Sequence, residues 1–175
     1  MRLMKRLTTW LLMATLLACT EAPAPVADAA KAEMTKAEKN KMMVATIYEN
    51  FEKLDPSAAF ALMSNDIVDY GDGSMAPVKG IDSVKAGLNS WLSNMESMHI
   101  GDLKIVAEGN DVWASGVFSG TYKEDMWGMP LKGKSFKIFD VDIFTLNDEG
   151  KITSHRSVQG PEVWFAQMGI PMPKK

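Results

Sequence analysis

The 175 residues carry 19 Lys+Arg against 22 Asp+Glu, a net charge of −3, with two His and one Cys. That length fits one domain, and the charge argues against a nucleic-acid partner, which would show a clustered basic surplus. A single Cys excludes an intramolecular disulfide and a Cys-rich zinc site, and two His leave little for a His-based metal site.

Residues 1–19 open with Arg2, Lys5 and Arg6, continue through a mostly apolar run from Leu7 to Ala18, and end at Cys19. The run is too short for a stable bilayer span, which needs about 20 apolar residues. The layout is that of a secretory signal peptide. Leu16-Leu17-Ala18-Cys19 resembles the bacterial lipobox, in which the Cys is lipidated and becomes the mature N-terminus. That resemblance implies a signal peptide over residues 1–18, with Cys19 as the lipidation site. The alternative is a plain signal cleaved after Ala29 or Ala30. Thr20, rather than Asp, after the Cys resembles outer-membrane sorting, so the implied location is a bacterial envelope, facing the periplasm. Cleavage removes three positive charges and leaves 157 residues with 16 basic and 22 acidic side chains, a balance of −6.

Residues 19–36 are rich in Ala and Pro and lack an apolar stripe, as expected of a flexible tether between lipid and domain. The remaining residues 37–175 read as one domain. A helix is predicted over 37–53, because Val44, Ile47, Tyr48, Phe51 and Leu54 share a face. Asp55 reads as the N-cap of a short second helix, with Pro56 at its first position. Residues 66–70 read as a strand, Gly71-Asp72-Gly73-Ser74 as a turn, and 82–97 as a third helix. Period-two alternation then predicts strands over 99–108, 112–123, 134–146 and 152–159. The stretch 161–168 reads as one or two helical turns. The expected fold is α+β: a cone-shaped, curved antiparallel sheet with three N-terminal helices packed on its concave face, enclosing a pocket.

This order resembles the nuclear transport factor 2-like superfamily. Gly120-Thr121 and the run Met126-Trp127-Gly128-Met129-Pro130-Leu131-Lys132-Gly133-Lys134 look like the GT…F-x-G-I-P-P-T-G-K stretch of its SnoaL-like polyketide cyclase family. Asp142-Ile143-Phe144, with Gly150-Lys151-Ile152 and His155, looks like that family's D-I-F…G-K-I-x-x-H. Gln167-Met168-Gly169-Ile170-Pro171 resembles its closing Q-L-G-I-P. The superfamily hosts isomerases, cyclases, dehydratases, hydrolases and binding modules, so fold alone does not fix function.

Candidate catalytic residues are Asp142, His155 and Asp72. Asp140 and Asp142 fall within the apolar stripe of one strand, where carboxylates are costly unless paired, hydrogen-bonded or protonated. The resemblance places Asp142 where ketosteroid isomerases of the superfamily carry a protonated Asp that donates to an oxyanion. Arg156 or a neighbouring Lys is the alternative, structural partner for both carboxylates. The isomerase base would fall within residues 69–73, near Asp69 and Asp72, and the isomerase tyrosine on Ile47, beside Tyr48. His155 suits acid–base work near neutral pH. The cyclases place a catalytic Asp a few residues after this His; here only Glu162 stands nearby, which weighs against true cyclase chemistry. Tyr48, Trp91, Trp113 and Trp127 are the candidate substrate-binding side chains. No phosphate-binding Gly-rich motif, nucleophile elbow or metal-ligand cluster occurs, so no cofactor or metal is expected.

The first reading is therefore a lipoprotein domain that binds a small, largely apolar molecule. The second is an enzyme transferring protons on a carbonyl compound, and the third a scaffold. Relatives that pair through the sheet face imply a homodimer. Cys19→Ser is expected to release the protein from membranes and to abolish fatty-acid labelling, as read by fractionation and metabolic labelling; unchanged fractionation overturns the lipidation.

Overall fold

The computed structural model describes residues 33–171; the expected signal peptide, Cys19 and residues 19–32 of the expected tether lie outside them. The described chain runs α1 (Lys36–Phe51), α2 (Ser57–Leu62), β1 (Met63–Asp69), β2 (Val78–Lys79), α3 (Ile81–Ser93), β3 (Met95–Glu108), β4 (Asp111–Tyr122), β5 (Ser135–Leu146), β6 (Ile152–Ser157) and α4 (Pro161–Met168).

α1 begins at a capping box, which ends the expected tether one residue early. The Thr35 hydroxyl accepts from the Glu38 amide at 3.3 Å, and Glu38 Oε2 accepts from the Thr35 amide at 2.8 Å, so two orphan N–H groups are satisfied reciprocally. Val44, Ile47 and Tyr48 face inward as the periodicity predicted. Asn40, also buried, donates to the Gly109 carbonyl at 2.9 Å and ties the helix to the β3–β4 turn. At α2 the N-cap is Pro56 rather than Asp55; Asp55 Oδ1 instead accepts from the Ser57 amide at 2.9 Å.

The strands form one sheet in the order β2-β1-β6-β5-β4-β3. From β3 to β6 the neighbours are antiparallel, but β1 joins β6 in parallel, with Asp69 opposite His155. The sheet is thus mostly antiparallel, as expected, with one parallel pair added. The third helix is also shorter than predicted. Met95, Ser97 and Met98 pair with Tyr122, Thr121 and Gly120 of β4, and burying Met95 in that ladder outweighs extending α3. The alternation read along β5 holds: Phe136, Ile138, Asp140, Phe144 and Leu146 are all buried.

β6 pairs with β5 only from Asp142 to Leu146, so the edge of β5 near Lys137 needs another partner. Gln167 of α4 supplies it: its Oε1 accepts from the Lys137 amide at 2.7 Å and its Nε2 donates to the Lys137 carbonyl at 2.6 Å. Gly169 then ends α4 in the left-handed conformation, with φ 66°.

β3, β4 and β5 press together at Gly120. A Cβ there would stand 2.6 Å from Met95 Cε, 2.7 Å from the Ser97 carbonyl oxygen and 3.2 Å from Phe136 Cζ. The carbonyl belongs to the ladder and cannot swing aside. Gly120→Ala is expected to cost about 1–3 kcal/mol, read as a lowered urea midpoint; an unchanged midpoint refutes the tight fit.

Candidate functional site

The helices and the inner face of the sheet enclose a cavity of about 580 Å³. Its wall is largely aromatic and aliphatic. Trp91 of α3 meets Phe51 of α1 and Trp164 of α4, with ring centroids 6.5 Å apart in each pair. Trp164 also stacks on Phe136 at 4.4 Å. The polar groups of the lining gather where β1, β5 and β6 meet.

His155 is the centre of that group. The parallel register sets Asp69 beside it, and the antiparallel register sets Phe144 opposite it and Ser157 opposite Asp142. Its Nδ1 lies 2.9 Å from Asp69 Oδ1, and its Nε2 lies 3.3 Å from Asp142 Oδ1. Tyr48, reaching down from α1, donates its hydroxyl to Asp142 Oδ2 at 2.7 Å. The four side chains thus form one chain: Asp69, His155, Asp142, Tyr48. On β4 the residues paired with Asp140 and Asp142 are Gly116 and Ala114, small enough to leave the carboxylates room.

Burial pushes the His155 pKa down, but the hydrogen bonds and charges of Asp142 and Asp69 outweigh it and raise the pKa to about 10. His155 is therefore an imidazolium at neutral pH, with both ring nitrogens donating. Asp69 responds in the opposite sense. Burial alone would raise it, but the bond and charge of His155 and the Gly71 amide hold its carboxyl below the usual value. Tyr48, pushed well above its usual value by burial and then by Asp142, stays a phenol.

This corrects the role read for Asp142. One of its oxygens accepts from the Tyr48 hydroxyl and the other faces His155 Nε2, so it serves as an acceptor in the chain where the isomerase resemblance implied a donor. Among the described residues neither Arg156 nor a Lys pairs with the two carboxylates. Asp140 is held apart from the chain: its side chain accepts from Ser157 Oγ at 2.6 Å and from the amides of Val141, Val158 and Gln159. Burial nevertheless pushes its pKa up.

Asp72 lines the cavity but makes no bond to His155; its Oδ1 closes a turn on the Ser74 amide at 2.8 Å. Trp91 and Trp127 line the cavity as expected. The Trp91 indole donates to the Tyr122 hydroxyl at 3.3 Å, while Trp127 is 64% exposed at the rim, with a backbone φ of 55°. Trp113 does not belong here. Val112 and Ala114 on either side of it are fully buried, so alternation turns the indole to the outer face, where it is half exposed. Sequence reasoning undervalued Asp69, which it had only placed near a base position, and passed over Trp164 on the short C-terminal helix. Among the described residues no group of three or more His, Cys, Asp or Glu side chains is arranged to hold a metal ion.

The raised His155 pKa fixes a pH window. Its stabilising charge is fully present below the ordinary value of 6.5 and is lost as pH rises from there through about 10. Unfolding midpoints are expected to fall across that interval in the wild type, while His155→Asn is expected to show a flatter profile there. Identical slopes for both proteins would refute the charged imidazolium.

In solved structures the same fold recurs. A candidate polyketide cyclase from Xanthomonas campestris superposes with TM-score 0.69 at 20% identity, over 77% of this chain and 99% of its own. IdmH, a candidate polyketide cyclase from Streptomyces antibioticus, gives 0.60 at 21% identity, over 75% and 99%. An LEH-like epoxide hydrolase from M. tuberculosis gives 0.61 at 14% identity, over 77% and 92%. No curated protein matches the sequence. The model of a family described as SnoaL-like polyketide cyclase matches residues 42–160, and the chain belongs to the SnoaL-like polyketide cyclase family.

Proposed function

We propose that the cavity binds a small, largely apolar carbonyl compound and that the Asp69–His155–Asp142 chain moves a proton on it. One observation carries the reading: a doubly held imidazolium stands in the wall of a largely apolar cavity. A charged donor inside an aromatic enclosure acts at low dielectric, where it stabilises a developing oxyanion far better than water does. Of its two bonds, the one to Asp142 is the longer, and it is the one that can be shared with a substrate oxygen. Asp69 carries its two hydrogen bonds on Oδ1, which leaves Oδ2 to accept a proton from a carbon next to the carbonyl. In that step the C–H bond breaks, its proton goes to Asp69, and the electron pair moves onto the oxygen facing His155 Nε2. Tyr48 holds the far side of Asp142. Asp72 is not asked to act as the base in this scheme.

The second reading, binding without turnover, draws on the same lining: both oxygens of Asp142 are already occupied, as in a purely structural network. The proposal also places the domain at the bacterial envelope through an acylated Cys19, on the strength of Leu16-Leu17-Ala18-Cys19. A second copy of the chain is proposed to cover the outer sheet face, supported by exposed Val106, Trp113 and Phe139, an apolar surface of the kind that marks interfaces.

The test is deuterium exchange at the α-carbon of a panel of cyclic ketones and ketosteroids, followed by NMR in D₂O. Wild-type protein is expected to accelerate exchange, and His155→Asn and Asp69→Asn to lose about 10²–10⁴-fold of it. Exchange persisting in both variants overturns the assignment. Saturable ligand shifts in Trp fluorescence with no exchange in the wild type leave the binding reading in its place.

A further inference from the structure

The charge inventory of the cavity narrows the ligand further. Among the described residues four carboxylates line it, Asp69, Asp72, Asp140 and Asp142, against one imidazolium, and no Lys or Arg is in the lining. Two cations stand close by, outside the lining. Arg156 follows His155 on β6; its guanidinium lies 4.8 Å over the Tyr70 ring and beside Gly73, 3.3 Å from where a Cβ would stand there, and makes no ion pair with Asp72. Lys85 of α3 lies 5.6 Å over the Phe60 ring. Asp69 and Asp142 share the single charge of His155, and Asp140 is saturated by four donors. Asp72 differs from all three. Its single hydrogen bond, from the Ser74 amide, falls on Oδ1, so among the described residues its Oδ2 has no partner.

The enclosure makes this imbalance count. Charges inside a cavity are screened by salt much less than charges on a surface, so an anionic ligand meets uncompensated repulsion on entry. A cation meets attraction from the carboxylates and from the faces of aromatic rings, which favour ammonium groups. Trp91 and Trp164 offer such faces in the wall, and Trp127 at the rim.

We propose that the ligand is a carbonyl compound bearing a protonated amine, with its ammonium seated on Asp72 Oδ2 and its carbonyl directed to His155. This rests on the carbonyl reading above and adds the charge of the molecule. It also explains how a site already carrying excess negative charge tolerates a substrate whose oxygen becomes anionic: the substrate brings the balancing cation with it.

The experiment titrates the full chain with three matched ketones, read by Trp fluorescence at neutral pH. The cationic probe is 4-(dimethylamino)butyrophenone, the neutral isostere 5-methyl-1-phenylhexan-1-one and the anion 4-benzoylbutyrate. The cation is expected to bind about ten-fold tighter than the neutral ketone, and the anion more weakly than either. In Asp72→Asn, which keeps an acceptor for the Ser74 amide, the advantage of the cation is expected to fall to about two-fold while the neutral ketone is unaffected. It is also expected to shrink as ionic strength rises from about 0.01 M to 1 M. A neutral ketone binding as tightly as the cation overturns this inference and leaves the carbonyl reading standing, as does an advantage indifferent to Asp72→Asn. Failure of all three probes to bind overturns both.

Discussion

The clamp on His155 by two aspartates is the interaction on which the site depends, and it is set by strand register. The parallel β1–β6 register puts Asp69 directly opposite His155, and the antiparallel β5–β6 pair brings Asp142 within reach of the other ring nitrogen. Each carboxylate alone in this enclosure would be costly. Together they hold the imidazole charged, and the charged ring lowers the cost of both. The three residues are thus mutually supporting: removing one leaves uncompensated charge next to the apolar wall.

Asp140 and Asp142 share a strand, a face and a cavity, yet meet different fates. Asp140 spends its oxygens on backbone amides and a serine at the end of β6, so it acts as a clasp that fixes the segment leaving His155. Asp142 spends its oxygens on two ionisable side chains from other elements. Neighbouring carboxylates given different surroundings can take different roles, and here the division lies between holding the strand and holding the proton chain. Tyr48 links this chemistry to the packing of α1, since its ring is buried among Phe51, Phe118 and Phe144 while its hydroxyl reaches Asp142.

Much of this was legible from local periodicity. The inward face of α1, the alternation of β5 with its two carboxylates and the closing helical turns follow from residue spacing alone. What escaped was non-local. Nothing near Asp69 announces a parallel partner 86 residues away, so the most informative contact of the site had no local signal. The end of α3 was misjudged because Met95, Ser97 and Met98 satisfy a helix pattern as readily as a strand pattern, and β4 decides between them. Trp113 was a parity error that the buried Val112 and Ala114 could have prevented: a large ring was favoured over the period that assigns it outward.

The amide of Gln167 has a consequence for how this cavity can vary. By standing in for a missing strand at Lys137, a single side chain moors the helix that carries Trp164 and Phe165 into the wall. Asp69, His155 and Asp142 sit on strands, whereas this part of the enclosure hangs from a C-terminal clip. Cavity size and the Asp69–His155–Asp142 hydrogen-bond chain are therefore carried by separate elements: residues after β6 can be redrawn to admit a larger or smaller guest while that chain stays as it is.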